Sequence, residues 1–208
     1  MKIAILGAGG MIGSRIAAEA LSRGHEVTAV VRTPGKLAEK HAGLKEVQGD
    51  ALNPASIAHA VGGQDAVISA ISAPEQQELL RATAAQIEAV KQAGVPRLLV
   101  VGGAGSLEVA PGLQLVDAPD FPDAYKPPAL AHREVLKVYR KADLDWTYLS
   151  PAAVITPGER TGKFRLGKDQ LVADAKGESR ISAEDYAVAM IDEVEKPRHI
   201  RQRFTLAY

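Results

Sequence analysis

The chain has no cysteine. Disulfides, thiolate metal sites and cysteine nucleophiles are thereby excluded, and the composition suits a reducing cytoplasm, where the protein is expected. Aromatics are scarce: three phenylalanines, five tyrosines and one tryptophan in 208 residues, too few and too dispersed for a surface that stacks bases. No sign of charge predominates. Lys plus Arg and Asp plus Glu each number 25, so no bulk field favours nucleic acid or an anionic membrane. No stretch approaches the roughly 18 consecutive apolar residues of a membrane span. The apolar N-terminal run follows only Lys2 and is broken by four glycines, so it is expected to be a buried strand and its turn rather than an export signal. His25, His41, His59 and His199 show no ligand spacing, and no metal site is expected.

What is present is concentrated at the start. Lys2 to Leu6 reads as a strand and leads into Gly7-Ala8-Gly9-Gly10-Met11-Ile12-Gly13. An amphipathic stretch from Ser14 to Arg23 follows, then Gly24 and a second apolar run, Val27 to Val31, that ends on Arg32. Strand, glycine turn, helix and strand form the unit that holds a dinucleotide pyrophosphate. The glycines let the backbone turn sharply and approach two phosphates, and the helix N–H groups then face the anion. Gly7, Gly10 and Gly13 fit G-x-x-G-x-x-G, whereas G-x-G-x-x-G fails because Ile12 takes its third glycine position. Gly9, Met11 and Ile12 belong to the same candidate cofactor loop. A ligand-free strand-to-helix turn is the alternative.

Arg32 bears on which dinucleotide is bound. NAD sites place Asp or Glu at the end of the second strand to bond the ribose 2′-OH. Here the segment reads Val31-Arg32-Thr33-Pro34-Gly35-Lys36. A guanidinium beside Thr33 and Lys36 suits a 2′-phosphate, so NADP(H) is expected in preference to NAD(H). A solvated basic turn is the other reading of the same residues.

Strands and helices alternate along most of the chain. Strands are expected at Leu44–Gln48, Asp65–Ala70, Arg97–Val101, Asp145–Leu149 and Arg203–Ala207. Helices are expected from Asn53-Pro54, over Glu75–Ala93, over Ala129–Ala142, and from Ser182 to about Glu195. Gly162 to Ala175 reads as short strands or a hairpin. Leu107 to Pro128 reads as a loop of about 20 residues with five prolines. The pattern predicts one α/β domain spanning 1–208, a Rossmann-like doubly wound parallel sheet with a small C-terminal extension.

Ligands of such sheets bind at the carboxyl ends of the strands. Asp50 with Ala51 is expected near the adenine, or as a plain turn aspartate. Ala70, Ile71 and Ser72 are expected beside the adenosine ribose, Gly102 and Gly103 in the same crevice, and Pro151, Ala152 and Ala153 around the nicotinamide. Phe121 and Tyr125 are candidates for an acceptor platform, with core packing as their alternative. Lys126 is a candidate partner for a flavin phosphate. Ser106 and His132 are the candidate catalytic residues: the serine as a substrate contact or a loop cap, the histidine as a proton donor near neutral pH or a surface side chain.

The chain resembles the atypical short-chain dehydrogenases/reductases, in particular the NmrA-like and NADH-flavin-reductase-like group. The resemblance rests on Gly7–Gly13, Val100–Leu107, Leu144–Ala152, Pro157–Gly162, Ile181–Ala187 and Arg203-Phe204-Thr205, and spans nearly the whole chain. It implies a Rossmann-like fold that binds NAD(P)H. Ordinary members of the superfamily use Y-x-x-x-K, in which the phenol donates a proton and the lysine tunes it. Four residues after Tyr125, Tyr139, Tyr148 and Tyr186 stand Ala129, Asp143, Ala152 and Met190. The motif is absent, which removes the machinery for ketone reduction and epimerisation. Flavin or quinone reduction needs only positioning and survives the loss. Two functions are compatible with this pattern: an NAD(P)H-dependent reductase of a flavin or quinone-like acceptor, and a non-catalytic NAD(P) sensor of the NmrA-like type. The oligomeric state is left open.

Overall fold

The computed structural model describes residues 1–73 and 75–208. In chain order the strands and helices are β1 (Lys2–Leu6), α1 (Met11–Ser22), β2 (Glu26–Val31), β3 (Leu44–Gln48), α2 (Pro54–Val61), β4 (Ala66–Ser69), α3 (Gln76–Gln92), β5 (Leu98–Val101), β6 (Glu108–Ala110), β7 (Leu113–Gln114), α4 (Lys126–Lys141), β8 (Trp146–Ser150), β9 (Val154–Thr156), β10 (Arg165–Gly167), β11 (Arg180–Ser182), α5 (Ala183–Glu195) and β12 (Gln202–Ala207). Eight of these strands form one sheet in the order β10-β12-β8-β5-β4-β1-β2-β3. All its pairings are parallel except β10 with β12. This is the Rossmann-like doubly wound arrangement, in one domain.

The central strands are apolar without alternation because helices cover both faces of the sheet. Along β1, Ile3 and Ile5 pack toward the layer of α1 and α5, where Leu149 and Phe204 join them. Ala4 and Leu6 point to the opposite layer of α2, α3 and α4, with Val67 and Tyr148. The chain runs from β1 outward through β2 and β3, then returns to start the other half at β4, beside β1. A crevice therefore opens at the carboxyl ends of β1 and β4, the switch point where such sheets take ligands.

Two of the glycines are needed for close approach. Gly7 has φ +84°, and a Cβ there would lie 2.5 Å from the Ala70 carbonyl oxygen. A Cβ on Gly13 would collide with the carbonyl oxygen of Gly7 itself. The turn is closed by the Gly10 N–H donating to Gly7 O at 3.0 Å, and α1 begins at Met11, earlier than the amphipathic pattern from Ser14 suggests.

Several elements differ from the sequence expectation. Helix α4 starts at Lys126, because Pro127 and Pro128 occupy its first turn, where no intrahelical N–H bond is lost. The proline-rich stretch is partly ordered as the β6–β7 hairpin and two short 3₁₀ turns at Leu115–Asp117 and Asp123–Tyr125. Gly162 to Ala175 takes the short-strand alternative, as β10, and forms no hairpin of its own. Its strand β10 instead pairs antiparallel with β12 and closes the sheet edge. The two expected caps are present: Asn53 accepts from Ser56 N at 3.1 Å and Ser182 from Asp185 N at 3.0 Å.

Replacing Gly13 with alanine must push α1 off β1. We expect a loss of about 1–3 kcal/mol, the usual cost of overpacking a tight contact, read as a lower urea midpoint. A midpoint unchanged from the parent would contradict the close approach described.

Candidate functional site

The crevice is a cleft of about 770 Å³. It brings together residues from four separate turns: Gly7, Gly9 and Gly10; Arg32, Thr33 and Lys36; Asp50 and Ala51; and Ala70, Ile71 and Ser72. Each set follows the carboxyl end of a parallel strand, so the sheet converts sequence-distant segments into one wall. At the mouth of α1 the N-cap is Gly10, with no side-chain cap and no acidic residue in the first turn. The orphan N–H groups and the positive helix end therefore have no internal carboxylate to satisfy them.

The basic turn after β2 is held from behind. Gln48 Nε2 donates to Arg32 O at 3.3 Å, and Gly35 N–H donates to Glu46 Oε2 at 2.7 Å. Glu46 also lies 3.6 Å from Lys40 Nζ. Arg32 and Lys36 make no ion pair among the described residues, so both cations remain available to an anion. Asp50 fulfils the turn role: Oδ1 accepts from Leu52 N at 2.9 Å while the residue still lines the cleft.

The sequence reading missed Gly49, Leu52, Glu78 and Ala82, which also line the cleft. Only Gly49 carried a usable signal. It follows β3 directly, and a Cβ there would collide with Cγ1 of Val30. Glu78 and Ala82 come from α3, whose cleft-facing side depends on how the helix packs.

The other predicted positions lie outside the lining of this cleft. Met11, Ile12 and Gly13 form the first turn of α1 beside it. Gly102 and Gly103 make room for the protein's own side chains: a Cβ on Gly102 would run into the Tyr148 ring, and one on Gly103 would lie 2.6 Å from His132 Cβ. Pro151 and Ala152 are buried and Ala153 is exposed, its N–H donating to Ser179 Oγ at 3.1 Å. Tyr125 is 66% exposed, which rules out core packing for it, and Phe121 is half-buried. Lys126 is paired with Asp123 at 2.7 Å.

The two catalytic candidates take other roles. His132 sits in the second turn of α4, with Nδ1 3.2 Å from Tyr148 Oη. That phenol accepts from Gly103 N and donates to His132 O, both at 3.1 Å. The His132 ring and this phenol are thus satisfied against each other and the backbone inside the fold. Burial pushes the histidine pKa down to about 4. The expectation of a proton donor near neutral pH is therefore overturned, because desolvation disfavours the charged ring. Ser106 is buried and accepts from Arg203 Nη1 at 3.3 Å, which places it in an internal polar network away from the cleft.

The family model described as NAD(P)H-binding matches residues 7–197. Three solved structures are similar over the full length of the chain. A provisionally named exported protein from Burkholderia pseudomallei is 54% identical, with a TM-score of 0.92 and 100% of both chains covered. A provisionally named epimerase from Bacteroides thetaiotaomicron is 44% identical, with a TM-score of 0.94, covering 100% of this chain and 96% of that one. A provisionally named NADH-flavin reductase from Streptococcus pneumoniae TIGR4 is 38% identical, with a TM-score of 0.86, covering 100% of this chain and 99% of that one. Among the described residues no helix is long and apolar enough to cross a membrane.

The half-buried His132, its ring desolvated, gives a pH signature. As pH falls from the ordinary histidine value of 6.5 toward about 4, the unfolded chain binds a proton that the folded imidazole does not. Stability is therefore fully present above this window and falls within it, by about 3 kcal/mol at most. The His132→Asn variant keeps a polar group near the Nδ1 position and lacks the titration. We expect the stability gap between parent and variant to narrow from pH 7 to pH 4 in urea titrations, and a constant gap would contradict a desolvated neutral His132.

Proposed function

The chain belongs to the NAD(P)H-binding family, and from that membership we propose that it is a reductase passing hydride from NADPH to a flavin or quinone-like acceptor. The observation that carries the cofactor reading is the pair of unpaired cations, Arg32 and Lys36, on the cleft that also holds the glycine turn. The residues fit the group: Gly9 and Gly10 face the cleft without side chains, and the uncapped end of α1 offers N–H donors to a pyrophosphate. Arg32 and Lys36 would hold the 2′-phosphate, and Ala70 to Ser72 would leave room for the ribose. Met11 and Ile12 in the first turn of α1, with the exposed Ala153, would guide the nicotinamide half beyond the cleft. When bound, NADPH supplies the hydride.

The acceptor reading follows from the proton chemistry. Tyr139, Tyr148 and Tyr186 are fully buried, and burial raises each phenol above its ordinary pKa. His132 is held neutral. An acceptor that takes a hydride on its ring and its proton from water needs none of these groups, and the protein's task becomes one of stacking and orientation. Phe121 and Tyr125 would supply the platform. The relative named for NADH-flavin reduction supports this choice. An epimerase reading, suggested by the other relative's name, would need a positioned acid or base that this chain's tyrosines do not provide.

The inward-turned Ser106 and His132 also favour a second reading, a sensor in which cofactor binding changes a contact with another protein. Turnover separates the two. With flavin mononucleotide, riboflavin or a small quinone, NADPH should be consumed, seen as loss of nicotinamide absorbance. No turnover despite micromolar NADPH binding would favour the sensor. Arg32→Ala should weaken NADPH by at least about tenfold, as expected for a lost charge-assisted bond, and NADH far less. Equal losses would refute a 2′-phosphate contact.

A further inference from the structure

A second cavity lies behind α4, bounded by the β6–β7 hairpin, the segment after β10, and β12. It measures about 320 Å³ and shares no lining residue with the cofactor cleft. Its floor is Arg203, whose side chain is 4% exposed. The guanidinium donates to Asp169 Oδ1 at 2.5 and 2.8 Å, to Ser106 Oγ at 3.3 Å and to Ser150 Oγ at 3.4 Å. It is fixed in place by strand ends and cannot swing out to solvent.

Three more cations stand over this floor. Arg133, Lys137 and Arg140 follow one another at helical spacing on a single face of α4 and all line the cavity. Their side chains are 25%, 57% and 54% exposed, which makes Arg133 the inner group and the other two an exposed rim. The wall thus carries four cations against two carboxylates, Glu108 and Asp169. Asp169 is itself shared, bonding Arg203 and reaching Arg140 at 3.4 Å. Asp117 and Glu134 pair with Arg133 and Lys137 from outside the lining.

One observation points independently to a missing acceptor. The Nε of Arg133 is buried and has no hydrogen-bond partner among the described residues. A desolvated guanidinium donor is costly unless an acceptor reaches it, and the groups that match an arginine edge are planar or tetrahedral oxyanions. We propose that this cavity is a binding site for the oxyanion of a phosphate monoester, held by Arg133 from α4, with Lys137 and Arg140 closing over it and Arg203 setting the potential beneath. The site does not depend on the reductase reading. Only one of its two possible sources does, the phosphate of a flavin mononucleotide acceptor; the other is a free phosphorylated metabolite acting as an effector.

The test uses protein saturated with NADP⁺, so that the glycine turn is already filled, and holds ionic strength constant with chloride. Inorganic phosphate, flavin mononucleotide and riboflavin are titrated by calorimetry. Phosphate should bind at millimolar concentration, and the exposed pair Lys137→Gln/Arg140→Gln should weaken it by three- to tenfold without moving the melting temperature in chloride. Arg133→Lys keeps the charge, loses the fork, and should weaken phosphate as well. Flavin mononucleotide binding more tightly than riboflavin, with the difference lost in the variants, would support the site and assign the acceptor as its source. Equal binding of the two flavins, with phosphate still held, would support it for a free metabolite. No phosphate heat above the chloride control, or heat unchanged in both variants, would overturn the proposal. Because the readout is binding, a failure of turnover leaves this result intact.

Discussion

A Cβ on Gly13 cannot coexist with the carbonyl oxygen of Gly7, and the position of α1 follows from that constraint. With both residues bare, the helix seats against the end of β1 and its uncapped N-terminus opens into the crevice. Moving α1 outward would widen the turn, misdirect the N–H groups and break the contact between helix and sheet. The rest of the molecule is arranged to hold this seat. Arg23 at the end of α1 bonds Asp192 and Glu195 of α5 at 2.7 and 2.9 Å, and Arg15 bonds Glu184 at 3.1 Å. Glu19, buried on the same helix, accepts from Arg160 at 2.7 and 2.8 Å. The Arg160 guanidinium, with Arg23, keeps that carboxyl below its ordinary pKa. These pairs tie α1 to α5 and to the segment around Arg160, so the turn is braced from the side away from the cleft.

The cleft half of the molecule was legible because its signals are local. A glycine that must avoid a backbone oxygen, a strand buried on both faces and a capping Asn before proline each announce themselves within a few residues. Arg32, Asp50 and Ala70 to Ser72 meet on one cleft because parallel strands deliver their carboxyl ends to one side whatever their register. The distal half was harder to read. Gly102 and Gly103 look like cofactor glycines in sequence, yet the space they leave is taken by Tyr148 and His132, which come from β8 and α4. Nothing within five residues of either glycine reveals that. In sequence His132 offers only a proton donor or a surface side chain; its neutrality arises from the desolvation and the phenol contact that the tertiary fold imposes.

The polar network around Arg203 was invisible for the same reason. Its members stand on the loop after β5, on β8, after β10 and on β12, and they meet only because those segments lie along one edge of the sheet. The cations of α4 did carry a signal, since Arg133, Lys137 and Arg140 share one helix face, but a charged stripe normally means a solvated surface. Its significance depends on the cavity beneath, which sequence periodicity does not describe.

The central claim is that the NADP(H) adenosine and pyrophosphate occupy the cleft at the end of β1. An amide-resolved NMR titration with NADP⁺ tests it most directly. The largest shifts should fall on Gly9 to Ile12, Arg32 and Thr33, and Ala70 to Ser72, with the α4 face around Arg140 unmoved. Perturbations centred elsewhere, or a glycine turn unaffected at saturating NADP⁺, would contradict the account.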